Sequence, residues 1–341
     1  MEFGSDFHTV EYPQGGESIL NFFPDSNLYV SGRQALLDLA MARGWKRLWV
    51  PSYFCGETLK CISRAGIELS RYAINPSLDP IVVIGDIPVN KDDGLLVVNY
   101  FGLFDKRTFV DVGCEVVEDH THNLIGNWAI ESNADWCIAS LRKTLPVADG
   151  GILWSPRKHT LPVKPLSNHL TTSVIERRSK AMYLKYRYLR GEEVRKEKYL
   201  NLFRETEEEL DGLPVSAISD FSLSIIRGLD IRKWYDEKHK NWSLLHDKLY
   251  DCKSINILSP ENGKDCPFSL TLQFVDNETR NKIRKSLIEK SVYPAILWTI
   301  QNREDKNAQS FGDKMLSIHC DGRYSIKDME TLSLLIKASL I

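Results

Sequence analysis

The 341-residue sequence has no Cys-x-x-Cys pair and no His-x-x-x-His spacing. Its seven cysteines (Cys55, Cys61, Cys114, Cys137, Cys252, Cys266, Cys320) are odd in number and dispersed. That pattern argues against a zinc module and a disulfide framework, and leaves reduced, buried thiols as the expectation. Gly-x-Gly-x-x-Gly, Walker A and Gly-x-Ser-x-Gly are all missing, and with them the usual marks of dinucleotide, P-loop and nucleophile-elbow sites. No apolar run approaches membrane-spanning length, and Met1–Gly16 lacks a charged-then-apolar leader pattern. The expectation is a soluble, cytoplasmic protein without a membrane partner. Nor does one sign of charge dominate: 44 basic against 46 acidic residues leave a net charge of −2, so no global field attracts nucleic acid.

What is present is an ordinary globular composition, 43% apolar and 26% charged, in a chain long enough for a large core and two domains. Up to Trp154, short apolar runs alternate with helical spacings, which argues for parallel α/β architecture. Ligands of such sheets sit beyond the carboxyl ends of the strands. Two of those ends carry polar groups. Cys114–Val117 is apolar and breaks into Glu118-Asp119-His120-Thr121-His122. Trp136-Cys137-Ile138-Ala139 is apolar and breaks into Ser140-Leu141-Arg142-Lys143, with Gly150-Gly151 allowing a sharp turn beyond.

An Asp and a Lys, 24 residues apart and delivered to one sheet edge, suit pyridoxal phosphate. The lysine amine condenses with the cofactor aldehyde, and a carboxylate keeps the pyridine nitrogen protonated. Lysine fits because burial readily lowers its pKa. Taken alone, the pair is more commonly an ordinary salt bridge. Ser140-Leu141-Arg142-Lys143 also matches the Ser-x-x-Lys of penicillin-recognising enzymes, but the partner elements those enzymes need are missing.

The surroundings shift the balance. The stretch resembles the DegT/DnrJ/StrS family of pyridoxal-phosphate-dependent sugar aminotransferases, in Glu118-Asp119, His122 three residues on, Ser140, Lys143 and a Gly-Gly closing eight residues after the lysine. The resemblance implies fold type I, with a mostly parallel central sheet in a large domain and a smaller C-terminal α+β domain. It implies Asp119 at the pyridine nitrogen, His122 near the cofactor's 3-hydroxyl, Lys143 as the Schiff-base lysine and Ser140 at the phosphate. Ser140 stands three residues before the lysine, where the family places its serine five before. Ser31-Gly32-Arg33-Gln34-Ala35-Leu36 is similar to the family's phosphate-binding helix start, with Arg33 in place of a threonine. A helix N-terminus suits a phosphate, and Arg33 could add a bidentate contact or be a surface arginine. Pro51-Ser52-Tyr53-Phe54-Cys55 resembles the family segment whose aromatic stacks on the pyridine; that position falls on Cys55, which leaves Tyr53 or Phe54 as the ring.

Along the rest of the chain, residues 1–27 are expected to be an arm, 28–228 the large domain and 229–341 the small one. The basic, aromatic run Thr171–Leu210 reads as one long connecting helix with a solvated face rather than a nucleic-acid surface. The function implied by the resemblance is transfer of an amino group, with glutamate as donor, to a keto sugar. That sugar would be nucleotide-linked, in surface polysaccharide synthesis, and the enzyme a homodimer with shared sites. Another pyridoxal-phosphate reaction, dehydration or carbon–carbon cleavage, is the alternative, and a non-catalytic binding protein on the same fold a third.

Overall fold

The computed structural model describes residues 2–78, 84–263, 265–298, 300 and 305–341. From the N-terminus come β1 (Phe3–Gly4), α1 (Ile19–Phe22), β2 (Asn27–Tyr29), α2 (Gly32–Arg43), β3 (Arg47–Pro51), α3 (Gly56–Arg64), β4 (Glu68–Tyr72), β5 (Asp93–Val98) and β6 (Glu115–Asp119). There follow α4 (Asn127–Ile130), β7 (Trp136–Ser140), β8 (Gly151–Trp154), α5 (His169–Leu189), α6 (Lys196–Leu210), α7 (Asp220–Gly228) and α8 (Ile231–Leu249). The chain closes with β9 (Asn256–Leu258), β10 (Leu270–Gln273), α9 (Asn277–Glu289), β11 (Val292–Tyr293), α10 (Lys306–Lys314), β12 (Met315–Ile318) and α11 (Ile326–Leu340).

The main sheet has the order β2-β8-β7-β6-β5-β3-β4. Its strands β7, β6, β5, β3 and β4 run parallel, and β8 is antiparallel to both of its neighbours. Every residue of β5 and β7 is buried, as expected of strands covered on both faces. β6 is centred between them, so Asp119 lies in register with Val98 on one side and Ile138 on the other. A second apolar cluster gathers around an antiparallel sheet, β12-β10-β9, with Leu245, Leu287, Leu332 and Ile336 from α8, α9 and α11.

One local expectation is corrected. The run Thr171–Leu210 is not one helix: it breaks after Leu189, where Gly191 takes φ +79°, and α6 folds back on α5 as a hairpin. Two of its arginines pair with α6 carboxylates, Arg177 with Glu209 and Arg178 with Glu207. The N-terminal arm holds a strand, β1, pairing in parallel with the two-residue β11.

α2 begins where β2 ends, with Ser31 as N-cap accepting from the Gln34 N–H at 3.3 Å. Its first turn is pressed against the ends of β7 and β8. A Cβ on Gly151 would lie 2.2 Å from the Ser31 carbonyl carbon, and one on Gly32 would lie 3.1 Å from Ser140 Cβ. All three close approaches at Gly151 are to backbone atoms, which cannot swing aside. Gly151→Ala should therefore cost about 3 kcal/mol, the upper range for overpacking, read as a lowered denaturant midpoint. A loss under about 0.5 kcal/mol, the level of a neutral surface change, would show that α2 is free to move.

Candidate active site

Six of the residues singled out in the sequence meet in one slot at the carboxyl edge of the main sheet. Gly32, Arg33, Phe54, Asp119, Ser140 and Lys143 line it, together with Cys55, Thr121 and Arg142. The free space among them is about 40 Å3, less than a pyridine ring occupies.

Local hydrogen bonds fix each wall. Asp119 ends β6, and its Oδ1 accepts the Thr121 N–H at 2.9 Å. The Thr121 hydroxyl oxygen in turn accepts the Ser140 N–H at 2.8 Å, joining the ends of β6 and β7. Leu141–Lys143 form a single 3-10 turn. That turn is held by Leu141 N–H on the Gly150 carbonyl at 2.9 Å and, just beyond, by the Thr144 hydroxyl on the Thr121 carbonyl at 3.0 Å. From α8, Trp234 Nε1–H reaches the Thr144 carbonyl at 3.0 Å. Lys143 thus projects from a clamped turn, with its Nζ 5.5 Å from the centre of the Trp298 ring.

His122 is close by but does not line the slot. Its Nδ1 accepts the Phe101 N–H at 2.9 Å, which puts the ring proton on Nε2. Its ring lies between Phe101, Phe268 and Trp298, at centroid distances of 5.6, 4.5 and 5.9 Å. Burial, then the charges of Lys143 and Lys238, hold it far below the usual histidine pKa. The two candidate aromatics separate. Phe54 lines the slot, whereas Tyr53 is wholly buried against Tyr100, Phe311 and Trp298 and lies outside it. The bend after β3 sends the neighbouring rings different ways.

Arg33 is not free for a bidentate contact. Its guanidinium is tied to Glu207 of α6 at 2.8 Å and to Asp211, the residue that follows α6. Arg142 and Trp298 went unnoticed as site residues in the sequence. Arg142 forks onto Glu207 with both terminal nitrogens at 2.8 Å, and Arg178 reaches the same carboxylate at 3.2 Å. Burial alone would raise the Glu207 pKa, but Arg142, Arg178 and Arg33 together hold it far below the carboxylate range. Cys55 occupies the position expected for the stacking ring. Burial raises its thiol pKa, but Lys143, Thr58 and Arg33 outweigh it and the net shift is downward.

Beyond Lys143 lies a second cavity of about 300 Å3, lined by Asp6, Phe7, Arg142, Phe268, His319 and Arg323 among others. A larger cleft of about 660 Å3, around Phe22, Asn27, Trp154 and His159, lies at the opposite edge of the sheet. It contains neither Asp119 nor Lys143. On the other face of β6, Glu118, His120 and Cys137 converge within 4.8 Å, among the described residues. Glu118 there accepts from His120, Trp128, Ser132 and Cys137, so the buried carboxylate is satisfied by hydrogen bonds alone.

With the slot in place, comparison with solved structures gives the architecture. The aminotransferase TlmJ from Streptoalloteichus hindustanus superposes with a TM-score of 0.65 at 13% identity, covering 99% of this chain and 98% of that one. PseC from Helicobacter pylori, an aminotransferase involved in the biosynthesis of pseudoaminic acid, gives 0.64 at 12% identity over 100% and 99%. NtdA from Bacillus subtilis, with bound cofactor PMP, gives 0.61 at 11% over 96% and 78%. The chain has the aminotransferase fold. Within this fold type I architecture, no family model and no curated protein matches the sequence itself. At these identities the likeness carries the architecture, and the residues must carry the chemistry.

The residues fit pyridoxal phosphate. A carboxylate, an amine and the start of a 12-residue helix, with a serine and an arginine, line the one slot. Gly32 provides the close approach that a side chain would fill, and Arg142 Nε is buried without a hydrogen-bond partner.

Three histidines are kept neutral by burial: His122, His319 with its pKa lowered to about 4, and His8 lowered to about 3. Unfolded histidine takes its proton near 6.5. Below that pH the unfolded state binds more protons, so stability falls with decreasing pH by about 1.4 kcal/mol per unit for each such histidine. His122→Phe, which preserves the stacking, should flatten the stability slope between about pH 6 and 5 by one histidine's share. Urea midpoints across that range give the slope; if it does not change, His122 is not held neutral in the folded protein.

Proposed function

We propose that the protein is a pyridoxal-phosphate-dependent aminotransferase that acts on a keto sugar, with glutamate as amino donor. The observation that carries this is the meeting of Asp119 and Lys143 in one slot at the start of α2. A nucleotide-linked sugar, a role in surface polysaccharide synthesis, a cytoplasmic setting and a homodimer with shared sites belong to the same reading. They rest on the resemblance of the motifs and on the kind of enzyme that shares the fold. No described helix is long and apolar enough to cross a membrane.

When bound, pyridoxal phosphate supplies an electron sink for bond breaking at the substrate's α-carbon. Asp119 holds the proton at the ring nitrogen through a charge-assisted hydrogen bond. The free N–H groups of α2 and the Ser140 hydroxyl receive the phosphate. Phe54 and Cys55 close the slot on the side of α3, and neutral His122 keeps a second positive charge away from Lys143. Lys143 moves the proton at the substrate α-carbon, first as base and then as acid. The cavity beyond Lys143, between Phe7, Phe268 and His319, receives the amino donor and the sugar in turn.

Protein supplied with pyridoxal phosphate should develop a yellow absorbance band, and borohydride should fix the cofactor to the peptide containing Lys143. Lys143→Ala should show neither. Glutamate should bleach the band, which separates transamination from dehydration or carbon–carbon cleavage; a wild-type protein without a band defeats the enzyme reading. Asp119→Asn should retain the band and slow the glutamate-driven bleaching by about 10- to 100-fold, the worth of a charge-assisted hydrogen bond. Bleaching at the wild-type rate would remove Asp119 from the ring nitrogen.

A further inference from the structure

Arg142 has no assigned task in this reading, yet it lines both the slot and the cavity beyond it. Its two terminal nitrogens are occupied, each donating to Glu207 at 2.8 Å. Its Nε is buried and has no hydrogen-bond partner. A buried guanidinium N–H without an acceptor is costly, and folded proteins rarely tolerate one without a reason. Among the neighbouring cations, Arg33 Nη1 also lacks a hydrogen bond, but it stands against the Asp211 carboxylate as an ion pair. Arg33 is held by Glu207 and Asp211, and Arg178 divides its donors between Glu207 and Asp6.

The surroundings say what would satisfy it. Ser140 and Arg142 flank the same strand end, two residues apart, and Gly32 brings the first turn of α2 within 3.1 Å of Ser140 for any added Cβ. An unpaired helix start, a hydroxyl and an unpartnered guanidinium N–H in one slot form an anion-binding set, and guanidinium suits phosphate oxygens. The serine spacing, three before the lysine rather than five, leaves the phosphate end one hydroxyl displaced from the pattern the motif resembles.

We propose that Arg142 is a phosphate ligand of the cofactor, donating through Nε–H while Glu207 holds the rest of its guanidinium in place. Glu207 is then a positioning residue, reaching from α6 to orient a donor on the lysine turn. Asp211, Asp6 and Glu207 offset Arg33, Arg178 and Arg142, so the added phosphate charge meets a cup whose orientation is fixed and whose cations are already partnered.

The inference rests on the pyridoxal-phosphate reading, and the test separates the two. Pyridoxal and pyridoxal phosphate differ only in the phosphate, so the ratio of their dissociation constants, titrated by the absorbance band, isolates that end of the slot. In Arg142→Gln the preference for the phosphorylated form should fall by about 10- to 100-fold, with pyridoxal binding little changed. Arg142→Lys conserves the charge beside Glu207 and lacks the Nε–H; it should lose most of the same preference and serves if the glutamine variant does not fold. A ratio equal to wild type in a folded variant overturns the proposal while the cofactor reading stands. A parallel loss for both ligands overturns it too, because it marks Arg142 as a structural ion-pair partner. Absence of any band in the wild type removes both.

Discussion

Because Gly151 has no side chain, the backbone of β8 lies directly against Ser31 and Gly32, and the first turn of α2 is brought to the end of β7. The Gly150 N–H donates to the Val30 carbonyl at 2.7 Å, tying the same two segments. Three chain segments far apart in sequence therefore share one corner: the helix start, the serine at the end of β7 and the lysine turn. Move α2 outward by the width of a methyl group and its free N–H groups leave that corner. Asp119 and Lys143 would keep their places at the strand ends, without the helix start beside them.

Electrostatics then divides the labour around that corner. The cations closest to it are paired off, Arg33 and Arg178 with carboxylates on α6 and the N-terminal arm, and His122 is neutral. Burial, rather than charge, is the larger cause of that neutrality. Lys143 meets the face of Trp298, and among the described residues no ion pair joins it to a carboxylate. A lysine paired to a buried carboxylate would be a salt bridge and a poor nucleophile. Here the carboxylate of the site, Asp119, is fixed by the Thr121 N–H at the end of its own strand.

The parts legible in the sequence are those carried by short-range pattern. A buried strand that ends in Asp, another that ends in Ser and Lys, and a Ser-Gly helix start each announce themselves within a few residues. Parallel topology then puts their ends on one edge, so Asp119, Ser140, Lys143 and Gly32 could be gathered before any coordinates. The Arg142–Glu207 pair spans 65 residues and two elements, and nothing local to either marks it. The break between α5 and α6 rests on Gly191, one residue in a run whose composition is otherwise helical. Phe54 and Tyr53 are adjacent aromatics; only the bend after β3 decides which faces the slot.

The lysine turn is also a partition. Arg142 and Lys143 are consecutive residues of one short 3-10 turn, and both border the slot and the larger cavity. A tight turn cannot reorient one of two neighbouring side chains without disturbing the other. The clamps on it come from both sides, Thr121 and Gly150 from the sheet and Trp234 from α8. α8 is the helix that leads into the second apolar cluster, so the position of the small sheet and the geometry of the lysine are mechanically joined through one indole hydrogen bond.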